Sequence, residues 1–221
     1  MPSRDLTRRE MLKRTVVAGA ALTWPSVLPG QGAAATRMGT QSGTPFETLT
    51  EAEGTTLEAV VGRLIPSDAA GPGALEAGAA RYIDRALAGA LAPSLPAYRA
   101  GLAALDRYAE AERGARFRAL DASVQDRLLA ALESNAATGF MPSASAFFEL
   151  LRTHTIEGTF SDPAYGGNAD FIGWELLGYP GLRTSVPPDL QRIDRMPPAR
   201  QVSAYDFPAF AAARARRIGG G

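Results

Sequence analysis

One histidine and three nearby carboxylates are the side chains in this sequence whose types and spacing suggest chemistry. His154 and Glu157 stand at i, i+3 and would share one face of a helix, and Asp162 or Asp170 could fold back toward them. A histidine with carboxylates can bind a hard metal ion, or can work as a general acid and base. The alternative is a structural histidine, hydrogen-bonded inside a packed loop, and a lone histidine among aromatic residues is more often that. The segment DPAYGGNAD between Asp162 and Asp170 lacks the regular ligand spacing of a calcium loop.

Other chemistry is harder to find. A dinucleotide site needs a buried strand, a glycine turn and a helix N-terminus facing the pyrophosphate. Gly71-Pro72-Gly73 has no such strand before it, has the wrong glycine spacing, and loses a donor at Pro72. The only lysine is Lys13, so there is no phosphate loop ending in Gly-Lys-Ser/Thr. With no cysteine, the chain has no disulfide, no thiolate metal site and no covalent haem attachment. No catalytic, cofactor or metal residue is therefore assigned to this chain from its motifs, and His154, Glu157, Asp162 and Asp170 stay as a weak candidate site.

The same region has a second character. His154 to Gly181 holds six glycines and two prolines, with Phe160, Tyr165, Phe171, Trp174 and Tyr179 spaced between them. Glycine permits positive φ and close backbone approach, and proline fixes turns, so one compact irregular shape is expected. Large rigid aromatics on such a shape dominate interface energetics, which makes these five residues candidate partner-docking anchors. Packing over the chain's own core is the equal alternative for each.

The elements that must position this stretch read as helices. Thr50 and Glu53 fit a capping box before Leu57, Val60, Val61 and Leu64, and Pro66 stops that helix. A second helix is predicted over about 74–90 with Ala79, Ile83, Ala86 and Leu87 inward. A third, over about 95–112, follows Ser94 as cap and turns Leu102, Leu105 and Tyr108 or Ala109 inward. Leu120 and Asp121 open a fourth, with Val124, Leu128, Leu129 and Leu132. Ser143 caps a fifth, ASAFFELLRTHTIEGTF, with Phe147, Leu150 and Leu151 on its apolar face, and a short extra helix is expected near Gly173 to Leu177. Short connections without alternating strands predict an all-α single domain of five to six helices over residues 49–181. Residues 182–221 form a proline- and arginine-rich tail with a short terminal helix starting at Asp206 and Pro208.

The beginning of the chain indicates a destination. Arg8 and Arg9, the apolar run from Thr15 to Leu28 and Ala33-Ala34-Ala35 form a twin-arginine export signal, expected to be removed at about residue 35. Residues 36–48 then read as a flexible linker. The apolar run is too short for a membrane span. Without the signal the chain carries 18 basic and 21 acidic groups, a slightly acidic balance that argues against nucleic-acid binding. The twin-arginine route moves folded proteins, and its passengers often carry a cofactor or travel with a partner that does.

Three stretches together resemble a known family. They are Leu57 to Asp68 with Gly73-Ala74 and Tyr82-Ile83-Asp84, Phe147 to Thr155, and Gly158 to Pro163 continued by Tyr165-Gly166-Gly167-Asn168, Gly173-Trp174 and Gly178-Tyr179-Pro180-Gly181. The chain is similar to the small subunit, subunit 3, of gluconate 2-dehydrogenases and related flavin-dependent sugar dehydrogenases. The resemblance implies a non-catalytic accessory subunit. It implies a large partner of the glucose-methanol-choline type that holds FAD, and a multihaem cytochrome c subunit that holds haem c. It also implies periplasmic location, association with the inner membrane through those partners, and an escort role in twin-arginine export. A self-sufficient periplasmic enzyme or metal-binding module using His154 and its neighbouring carboxylates is the alternative.

Overall fold

Local capping explains where the first helix begins. In the computed structural model, which describes residues 45–69, 71–208 and 210–211, α1 spans Glu51–Leu64. The Thr50 side chain accepts from the Glu53 N–H at 3.3 Å, and the Glu53 carboxylate accepts from the Thr50 N–H at 2.8 Å. That satisfies donors that the first turn would otherwise leave open. Leu57, Val60 and Val61 form its buried face. Pro66 lacks an N–H and disfavours helical geometry in the residue before it, and Ile65 leaves the helix at φ −132°. The expected export signal with Arg8 and Arg9, residues 36–44 of the expected linker and most of the expected terminal helix lie outside the described residues.

The second helix starts later than its sequence pattern predicts. α2 spans Ala79–Leu87, not 74–90. Residues 74–78 instead form a separate turn, closed by the Ala77 N–H on the Gly73 carbonyl and the Ala79 N–H on the Ala74 carbonyl. Gly78, at φ 75°, breaks the helical path between them. Ala86 is half-buried, whereas Asp84 on the same helix is only 2% exposed. Its Oδ1 accepts from the N–H groups of Thr48 at 3.0 Å and Leu49 at 2.8 Å, and its Oδ2 from that of Glu47 at 2.6 Å. One buried carboxylate thus fixes the lead-in to α1, and the Arg81 guanidinium stacks on Phe46 at 3.8 Å from the ring centre.

α3 spans Leu95–Arg113 and α4 spans Ala122–Glu133. Ser94 makes no capping bond, because it belongs to a 3-10 turn, Ala92–Ser94, that runs directly into α3. Between α3 and α4 the buried Phe117 is gripped at both backbone polar groups. Its N–H donates to Asp106 Oδ1 at 3.1 Å and its carbonyl accepts from Gln125 Nε2 at 2.9 Å. α5 spans Ala144–Phe160, begun by the Ala146 N–H on the Ser143 hydroxyl at 3.1 Å, and α6 spans Ile172–Leu177.

α5 is the axis of the packing. α2 and α4 lie along it, α1 and α3 also touch it, and α6 meets it near its C-terminal end. With neighbours on several sides, α5 buries Phe148 as well as Phe147 and Leu151, while Leu150 is only half-buried. Among the described residues there is no β-strand, only an isolated bridge between Asp68 and Gly71, so the all-α expectation holds. No described helix is long and apolar enough to cross a membrane.

Replacing Asp84 by Ala would leave three backbone donors without their acceptor and is expected to cost on the order of 2–4 kcal/mol. Asp84→Asn, which keeps one acceptor oxygen, should cost less. Urea unfolding midpoints measure both, and an unchanged midpoint for the alanine variant would contradict the anchoring role.

Candidate functional site

The segment after α5 has its shape dictated by close backbone contacts. Gly167 and Gly173 lie against the last turns of α5, where an added Cβ would sit 2.1 Å from the Gly158 carbonyl oxygen and 1.8 Å from that of Thr159. Only glycine fits at such approaches. Asn168, fully buried and in the left-handed region at φ 45°, joins the pieces. Its N–H donates to the Gly158 carbonyl at 2.8 Å, its side-chain N–H to the Ser161 carbonyl at 2.8 Å, and its side-chain oxygen accepts from the Gly173 N–H at 2.8 Å. The Ala169 N–H then donates to the Ala77 carbonyl at 2.9 Å, tying the segment to the turn before α2.

His154 and Glu157 do share a helix face, and each faces a tyrosine. His154 is 7% exposed, and its Nδ1 is 3.0 Å from the Tyr98 hydroxyl, with the two rings stacked. The Tyr82 hydroxyl donates to Glu157 Oε2 at 3.3 Å. Burial pushes the Tyr98 phenol well above its usual range, and burial together with the charge of Glu157 pushes Tyr82 up to about 12. Burial also holds the His154 imidazole below its ordinary value, against the opposing charge of Glu157.

Asp162 is turned to other work. Its Oδ1 accepts from the Ala164 N–H at 2.9 Å and the Ser203 hydroxyl at 2.6 Å, and its Oδ2 from the Ala204 N–H at 2.7 Å. It therefore clasps the C-terminal tail onto the segment. Asp170 is exposed, in the left-handed region at φ 51°. Among the described residues no three His, Asp or Glu side chains are grouped to hold a metal ion.

The aromatic residues divide into two sets. Trp174 is 7% exposed, its indole N–H donates to the Phe160 carbonyl at 3.0 Å, and its ring meets Phe171 at 5.2 Å and Tyr179 at 5.0 Å. Phe160 and Phe171 are half-buried beside it. Tyr165 and Tyr179 keep 51% and 42% of their surface open, and the Tyr165 hydroxyl bonds that of Tyr205 at 3.1 Å. Leu177, 61% exposed, extends the open apolar surface at the end of α6. The sequence motif includes Asn168 but assigns it no structural role, although an asparagine after two glycines is a recognisable left-handed turn residue. Ser203 forms a local capping box with Asp206, but nothing local signals its contact with Asp162, 41 positions away.

Because His154 is held below its ordinary value, the unfolded chain takes up a proton first as pH falls. Stability should be full above the ordinary imidazole value of 6.5 and decline as pH drops below it. Urea midpoints across that range should slope more steeply for the natural chain than for His154→Gln, and parallel slopes would contradict the burial of a neutral imidazole.

A model of the family described as gluconate 2-dehydrogenase subunit 3 matches residues 51–181, from the first residue of α1 to the glycine that ends the segment. No curated protein and no solved structure matches the chain. The match covers more than half the chain and takes in the six α-helices of the described residues together with the glycine and aromatic segment, and on that basis the chain belongs to the gluconate 2-dehydrogenase subunit 3 family.

Proposed function

We propose that this chain is the non-catalytic small subunit of a periplasmic, membrane-associated, FAD-dependent gluconate or sugar dehydrogenase complex. It binds the large flavoprotein subunit in the cytoplasm, stabilises it, and escorts it folded through the twin-arginine route. FAD resides in that large subunit and haem c in a cytochrome subunit. The family supplies the general role, since it is one subunit of a gluconate 2-dehydrogenase.

One observation carries the non-catalytic reading. Three of the four side chains of the weak candidate site are engaged within the chain: His154 to Tyr98, Glu157 to Tyr82, and Asp162 to Ser203 and Ala204, while Asp170 stands apart and exposed. A catalytic acid or base needs a free hydrogen-bonding position facing a substrate. His154 Nδ1, Glu157 Oε2 and both oxygens of Asp162 are taken up by the protein's own hydroxyls and amides instead. The paired arginines Arg8 and Arg9 support the export role.

Co-expression with the large flavoprotein tests the proposal. Replacing both Arg8 and Arg9 by Lys should leave both chains, and the flavin-dependent dehydrogenase activity, in the cytoplasmic fraction. Export of active flavoprotein in the absence of this chain would contradict the escort role. Bound flavin, bound metal or turnover in the purified lone chain would overturn the non-catalytic one.

A further inference from the structure

The family match ends at Gly181, and the chain beyond it turns back onto the aromatic end of the matched region. The Arg200 N–H donates to the Pro180 carbonyl at 2.9 Å, and a Cβ added to Gly181, which sits at φ 84°, would lie 2.0 Å from the Arg200 carbonyl oxygen. Gln201 then donates to the Glu175 carboxylate on α6, and Ser203 and Ala204 donate to Asp162. The Tyr205 ring meets that of Tyr165 edge-on at 5.9 Å. An open groove of about 310 Å³ lies along this path, lined from the segment by Phe171, Trp174 and Tyr179 and from the tail by Met196, Pro197 and Gln201. The chain's own tail is thus part of what covers Trp174.

This stretch is fastened differently from the helices. Within residues 200–206 only Ser203 is buried, so little apolar surface leaves the water and the fastening is chiefly polar. Such bonds replace bonds to water and give a small net gain each. Where the returning chain starts, the Arg183 guanidinium donates to the Pro198 carbonyl, yet Arg183 Nε is buried without a hydrogen-bond partner among the described residues. A donor left unmet in the closed arrangement favours one that admits water. Segments with few buried apolar contacts and hydrogen bonds near the surface open locally well before the domain unfolds.

We propose that residues 200–206 are a releasable strap, latched by the Asp162 carboxylate, that closes the Trp174 groove in the free chain and lifts off it while α1 to α6 stay folded. Asp162 is the latch because it alone receives two consecutive tail residues, one on each oxygen. Latched, the chain withholds the aromatic face of its own segment. Released, it bares Trp174 and Tyr179. Being intrachain, the strap is independent of the accessory-subunit reading above.

The test opens the latch from the tail side, leaving the segment itself unaltered. Ser203→Ala removes one donor to Asp162. Ala204→Pro removes the other, and proline suits this position, the first of a 3-10 turn after an extended Ser203. Both are made in a full-length Trp24→Phe chain, in which Trp174 is the one tryptophan left. Acrylamide quenching of Trp174 should rise at least about twofold in the unlatched chain, with the thermal midpoint unchanged, as local opening requires. In the natural chain the Arg200 and Ala204 amides should exchange at least about tenfold faster than those in the middle of α5, and at a rate insensitive to low urea. Equal quenching in the two chains overturns the latch. A lowered midpoint, or Arg200 and Ala204 amides that exchange as slowly as those of α5, makes the tail an integral part of the fold and overturns the strap.

Discussion

The glycine and aromatic segment after α5 is organised around one asparagine held in a left-handed turn. Asn168 bonds the Gly158 and Ser161 carbonyls on one side and the Gly173 N–H on the other. These bonds draw two glycine backbones onto the end of α5, at distances that would exclude a β-carbon. In that arrangement the Trp174 indole reaches the Phe160 carbonyl, and Glu175 on α6 receives Gln201 from the returning tail. A buried residue whose side-chain amide and backbone N–H together satisfy three backbone groups makes bonds worth more than the same bonds in water, and correspondingly costly to break.

The domain beneath is built to support that end of α5. Polar side chains at the connections do work that apolar packing cannot. Asp84 fixes the entry to α1, and Asp106 with Gln125 fixes Phe117 between α3 and α4. Each replaces water at backbone groups that burial would otherwise leave unsatisfied. With no cysteine in the chain, such bonds and the core around Phe148, Leu151, Tyr98 and Leu105 hold the fold.

How much of this could be read from the sequence follows the range of each interaction. The capping box at Thr50 and Glu53 and the cap at Ser143 lie within four residues of what they bond, and were legible. The start of α2 was not, because apolar spacing runs through residues 74–78 while Gly78 breaks the path. Asp84 and Asp162 look like ordinary acidic residues until residues 35 and 41 positions away are placed beside them. Asp162 consequently read as a possible ligand when its role in the structure is a clasp. The five aromatics could be recognised as a group, but not sorted into inward and outward, since an irregular segment has no period to sort them by.

Hydrogen exchange on the free, full-length chain tests most directly whether the segment is a preformed platform. The amides of Asn168, Ala169 and Gly173, each with a backbone or buried side-chain acceptor, should exchange as slowly as those in the middle of α5, before any partner is added. Exchange of those three amides at the rate of an open loop would contradict it.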